Sequence, residues 1–514
     1  MQILPLNIVE VLGLVFLTWH YALRCGFVSD DHAVVEARKD IIPDAEKNPK
    51  KESYWVKVFN DGIVMYYLNR VLWAVGGRRL PILWHALCLG LHLGNTYLLY
   101  LVLTPLLGQE TAVIAVFIWA INPMLNQNTA WISGRPYLIA TMFALICMLN
   151  WQQPLIVVPL YILAVITNIS IALIPVLMKV IYKTGWQLDA YIIFMLACGV
   201  PFILWKFQKR FTAALVIDRE NFKFKKRRFN TLARIFVYYL WTILVPVRMG
   251  WYHQAGFRYN NKWEKFNIWT LIGYLFVGLL AMSGWPGWWF IFGLVPNANL
   301  FATNSFLQDR YIYFASIGLA IMFAPLLVAN PDFILIVATF YMVRSYMYSR
   351  HLQNDELLYR ENWRNHPQSD YAVNNLAFFL IQQHRYDEAR VVIHRGLAIN
   401  QANKMLWYNL GVTWAATGNL KTDDGKFRFL RAVDCWKMAL QVEPRWKKPA
   451  DDLKKMIKFL LENKVITTDK AQGSDVSIDV PVDMKGVIDG QENNKGKDNS
   501  NETKAAAGSG KADS

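Results

Sequence analysis

Apolar positions dominate the first 349 residues in long runs and then give way to a periodic pattern. The runs occupy residues 4–23, 80–106, 111–125, 137–151, 154–182, 190–206, 235–250, 266–283, 288–301, 311–328 and 333–348. A helix crosses a bilayer with about 20 predominantly apolar residues, so the pattern predicts eleven membrane-spanning helices, with 154–182 counted once. No basic region precedes residues 4–23 and no small-residue cleavage site follows, which predicts a retained anchor. Glu10, inside that first run, is expected to have a buried partner.

From Arg350 the spacing changes to that of paired helices. Leu376, Ala377, Leu380, Ala389, Ile393 and Gly396 recur at helix-pair intervals, and Leu410-Gly411 follows Leu376 by 34 positions. That period, with small residues where helices touch, predicts tetratricopeptide repeats. An insertion at 421–430 is placed between the two helices of the second repeat, and 451–463 reads as a capping helix. Residues 466–514 are rich in Gly, Asp, Asn, Lys and Ser without apolar period, which predicts a disordered tail. The expected fold is thus all-α and polytopic: a membrane domain over 1–349 with an outer loop at 24–79, a TPR-like α-solenoid over 350–465, and the tail.

Composition agrees with a membrane-domain reading. Of 514 residues 54% are hydrophobic and 18% charged, against about 25% charged in soluble domains. The net charge of +16 is concentrated in part between Lys206 and Arg234, where ten Lys or Arg face two acids. The positive-inside rule places that stretch on the cytoplasmic side, against anionic lipid headgroups rather than nucleic acid. The N-terminus is then cytoplasmic, and the repeats are periplasmic or luminal. Cys25, Cys88, Cys147, Cys198 and Cys435 are scattered, and no zinc or disulfide pattern is present.

Candidate chemistry begins at Asp30-Asp31-His32, just past the first run. A carboxylate at the edge of an apolar region has its proton affinity raised by desolvation and can serve as a base. His85 and His92, seven apart, share one helix face, and interhelical hydrogen bonds explain them as well as function does. Five blocks, Phe27–Glu36 with Lys39–Pro43, Trp84–Asn95, Ala130–Arg135, Asp309–Gly318 and the 34-residue repeat, stand in the order found in TMTC-type glycosyltransferases. The chain resembles that family and its bacterial TPR-bearing relatives from about residue 4 to 446.

The resemblance implies a GT-C fold that moves a sugar from a polyprenyl-phosphate carrier to a hydroxyl. The expected acceptor is a protein Ser or Thr, or a glycan, held by the repeats. Asp30 or Asp31 would be the base, and Arg135, Arg310 and more weakly Arg258 would bind the donor phosphate. His32, His85, His92, Gln127 and Asp309 would support them. No fixed cofactor follows, and a divalent metal is the one the family pattern would admit. The family's two His and its Glu are replaced here by Asn122, Leu125 and Gln127, the last of which keeps hydrogen-bonding capacity but cannot act as a base. That loss keeps open an inactive membrane scaffold, with a glycan polymerase or ligase as a third alternative.

Overall fold

The computed structural model describes residues 6–32, 35, 62–77, 79–182, 186–215, 228–251, 266–298 and 307–466. Everything regular among them is helical. The first helix, Ile8–Trp19, starts at a reciprocal cap. Asn7 Oδ1 accepts the amides of Val9 and Glu10, while Glu10 Oε2 accepts the amide of Asn7 at 2.8 Å. Glu10 is therefore an exposed capping residue, where a buried partner was expected.

Two helices are long and apolar enough to cross a membrane among the described residues, Pro81–Leu107 and Ile132–Leu149. This overturns the expectation of eleven spans and, with it, the multi-pass localisation and the inside–outside assignment drawn from it. The reason lies in how the apolar runs are cut. Gln109–Ala120 has 12 residues, about 18 Å at 1.5 Å per residue, well under the ~30 Å of a hydrocarbon core. Every residue from Ala112 to Ala120 is buried, so this run is apolar all round because protein surrounds it. The run 154–182 is divided at Asn168, whose side chain accepts the amide of Ser170 in an extended turn. Pro154–Thr167 and Ile174–Tyr182 are separate helices packed about that break. Apolar stretches of this kind fill one continuous core joining Val11, Leu99, Phe117, Leu145, Trp289, Ile317 and Tyr341.

Close backbone approaches set the crossings. A Cβ on Gly273 would lie 2.3 Å from the Ala233 carbonyl oxygen, so Ile268–Met282 and Arg228–Leu244 meet backbone to backbone. At the centre, His92 ties four segments together. Its Nε2–H donates to the Ala120 carbonyl at 2.9 Å, and its Nδ1 accepts the Tyr313 hydroxyl at 2.8 Å. Trp19 Nε1 donates to the same Ala120 carbonyl, and Asn95 Nδ2 donates to Leu138 O and to Tyr313 Oη.

After Arg350 come six helices: Asp355–Asn365, Asp370–Gln382, Tyr386–Ile399, Lys404–Ala416, Asp423–Val442 and Lys447–Glu462. Each packs on the next. Gly396 admits Val373 and Leu406, and Gly411 lies under the Trp436 indole, where a Cβ would be 2.4 Å from Nε1. The insertion at 421–430 does not form an interhelical loop. From Asp423 onward it is the opening of a 20-residue helix, capped by Thr422. The expected disordered tail from 467, and most of the loop 24–79, lie outside the described residues.

Candidate functional site

The site is built on residues 126–135, a chain of single turns between the helices Gln109–Ala120 and Arg135–Leu149. Gly134 makes the turn possible. A Cβ there would stand 2.1 Å from the Gln127 carbonyl oxygen, so only glycine lets the two ends of the segment close on each other. Trp131 is extended, φ −107° and ψ 127°, and neighbouring side chains diverge accordingly. Trp131 packs with Cys25, Val28, Trp251 and Leu352, whereas Ile132 packs with Val35 and Trp84.

Asp31 meets this segment from the first loop. It is fully buried. Its Oδ1 accepts the Ser133 amide at 3.0 Å and the Ser133 hydroxyl at 2.5 Å, and its Oδ2 accepts the Val28 amide at 3.3 Å. Burial pushes the carboxyl up from 3.8 to about 7, outweighing those hydrogen bonds and the nearby charge of Arg135, which favour the ionised form. Arg135 is also fully buried. Its guanidinium lies over the Trp84 ring, 4.3 Å from the centroid, and its Nε donates to the Ile132 carbonyl at 2.6 Å. An arginine does not give up its proton in proteins, so this cation is permanent and rests on an indole face.

A second group forms at the other end of the segment. Gln127 Oε1 accepts the Arg310 amide at 2.8 Å, and Asn128 Nδ2 donates to the Arg310 carbonyl at 3.3 Å. The two amides thus clasp the backbone of Arg310 from both sides. The Arg310 guanidinium lies 5.1 Å from the Trp131 ring centroid, and Trp131 in turn rests on Trp251 at 4.3 Å. Gln127 Nε2 remains buried without a hydrogen bond.

The other expected residues are dispersed. Asp30 is exposed, unlike its neighbour. His32 is 46% exposed and pairs with Asp355 at 2.9 Å. His85 uses Nε2 on the Gly26 carbonyl at 3.2 Å, beside the Asp31 group. His92 belongs to the helix junction, and Asp309 accepts the Gly250 amide at 3.1 Å. Arg258 lies outside the described residues. No group of three or more His, Cys, Asp or Glu that could hold a metal occurs among the described residues.

Sequence reasoning passed over Ser133, Trp84 and Trp131. All three lie inside stretches already singled out; for Ser133 and Trp131 the signal was available, small or flat residues beside Arg135 in a run of short turns, whereas Trp84 sits in the helix Pro81–Leu107 and meets Arg135 only in the fold.

No protein-family model, no curated protein and no solved structure matches this chain. Together with the two-helix count, this overturns the resemblance to TMTC-type enzymes and the GT-C fold it implied. The glycosyltransferase activity and its scaffold and polymerase alternatives go with it. The tetratricopeptide assignment is also withdrawn: the helix pairs after Arg350 match no repeat family.

Proposed function

We propose that the chain binds a small oxyanion, a phosphate or phosphate ester, at Arg135 beside Asp31, and that Asp31 takes up a proton as the ligand arrives. The supporting observation is a buried carboxyl pushed up to about 7 next to a permanent, indole-backed cation. Buried groups with strongly shifted proton affinity next to a specific charge are candidates for function. A second negative charge at Arg135 competes with the Asp31 carboxylate for the same cation and favours its protonated form. Binding and proton uptake are then one event, and affinity falls as pH rises above about 7. Ser133 holds the carboxyl in place in both states.

The test is titration calorimetry with inorganic phosphate and with pyrophosphate, run in two buffers of different ionisation enthalpy. Wild type takes up as much as one proton per bound ligand near pH 7.5. Arg135→Gln abolishes binding, and Asp31→Asn binds without proton uptake. Absence of binding to the wild-type protein, or the same uptake in Asp31→Asn, refutes the reading and leaves a buried ion pair with a purely architectural role.

A further inference from the structure

The loop that carries Asp31 is held from outside the segment it serves. Ser29 has φ +54°, a left-handed conformation that costs a non-glycine residue free energy unless its surroundings enforce it. The enforcing group is Asp355, the first residue of the helix Asp355–Asn365. Its Oδ1 accepts the Ser29 amide at 2.7 Å, and its Oδ2 pairs with His32 at 2.9 Å. One carboxylate therefore grips the loop on both sides of Asp31.

The residues just before Asp355 continue the grip. The Gly26 amide donates to the Gln353 carbonyl at 3.3 Å, and a Cβ on Gly26 would lie 2.8 Å from that oxygen. Cys25 Sγ donates to the Ser349 carbonyl at 3.3 Å. Gln353 Nε2 donates to the Tyr21 hydroxyl. Leu352 and Leu358 fill the apolar patch shared with Val28 and Trp131. Thus residues 349–358, which open the C-terminal helical array, form a socket for residues 21–32.

We infer that Asp355 is a positioning residue for Asp31, and that the C-terminal helices, through this socket, decide whether the buried acid is in place. The chain of causes is short. Burial is the largest influence on the Asp31 carboxyl, and burial depends on a loop whose backbone is strained at Ser29. Removing the acceptor at 355 lets Ser29 relax toward negative φ and admits water to the carboxyl. A partner that tilts the array acts on the site by the same route. The consequence for ligand binding rests on the oxyanion reading; the consequence for Asp31 itself does not.

The experiment follows the Asp31 carboxyl by ¹³C NMR on aspartate-labelled full-length protein, with Asp31→Asn assigning the resonance. Asp355→Ala shifts the titration midpoint down by at least one pH unit, a tenfold loss of proton affinity. It also speeds amide exchange at Ser29. Asp355→Asn keeps an acceptor for Ser29 and holds the midpoint within threefold in proton affinity, although the carboxylate facing His32 is gone. Ser29→Gly, which accepts positive φ freely, restores the midpoint in the Asp355→Ala background. That double variant also carries the test should Asp355→Ala alone fail to fold.

An unmoved midpoint and unchanged Ser29 exchange in Asp355→Ala overturn the inference, as does an Asn variant as damaged as the Ala one. Phosphate binding is measured on the same samples. If wild type binds none, the oxyanion reading falls while the midpoint still reports on Asp355.

Discussion

Replacing Asp31 by Asn separates the chemistry of the buried acid from its shape. The carboxyl moves from 3.8 in the unfolded chain to about 7 in the folded protein. Between those values the folded state holds a proton that the unfolded state has released. Unfolding therefore releases a proton, and stability falls as pH rises through this window, the reverse of a salt-bridged aspartate. Three decades of proton affinity at about 1.4 kcal/mol each make the loss roughly 4 kcal/mol between pH 4 and 8.

An asparagine cannot ionise, so this component vanishes. It keeps an oxygen for both Ser133 donors, but its amide nitrogen then faces the Val28 N–H, where Oδ2 now accepts at 3.3 Å. The lost bond costs about 1–2 kcal/mol. Asp31→Asn is accordingly less stable than wild type at pH 4 and below, about equal to it near pH 5, and more stable, by about 2 kcal/mol, near pH 8. Urea unfolding followed by tryptophan fluorescence at several pH values measures the crossing. Histidines elsewhere titrate equally in both proteins and cancel in the difference. A difference that stays constant from pH 4.5 to 8.5 refutes the argument that burial governs this carboxyl.

Ser133→Ala removes the hydroxyl that donates at 2.5 Å but leaves the amide. The ionised form of Asp31 loses support, and its NMR midpoint rises by about one pH unit, in line with the ~1.5–3 kcal/mol of a hydrogen bond to a charged group. Gly134→Ala forces a Cβ against the Gln127 carbonyl and lowers stability by at least ~1–3 kcal/mol, read from the urea midpoint. His92→Phe removes the acceptor of the Tyr313 hydroxyl, which keeps only Asn95, and leaves the Ala120 carbonyl with the Trp19 indole as its side-chain donor. It costs about 2–4 kcal/mol without changing the Asp31 midpoint.

Much of the local structure was readable along the chain. The all-helical character of the described residues and the placing of His85 and His92 on one helix followed from spacing. The acid pair could not be resolved in the same way. Asp30 and Asp31 are chemically identical and adjacent, and only the turn at Ser29 sends one into the interior and the other to the surface. The role of Gln127 was equally hidden. It was a departure from an expected pattern in the sequence and is a backbone clasp on Arg310, 183 positions away, in the fold.

What the sequence determined by itself was helix against strand, because side-chain period and capping residues act within a few positions. What it did not determine was the medium around an apolar helix. A run such as Ala112–Ala120 carries the same pattern whether lipid or protein surrounds it, and mean hydropathy, +0.19 for the chain, is indifferent to the choice. Only the tertiary packing, which encloses those residues among neighbouring helices and sets Ser133, Arg135 and Asp355 around one loop, decided which apolar runs are core and which of two neighbouring acids is buried. Contacts between residues a hundred or more positions apart leave no periodic trace in the chain, and such contacts join Asp31 to Ser133, Ser29 to Asp355 and Gln127 to Arg310.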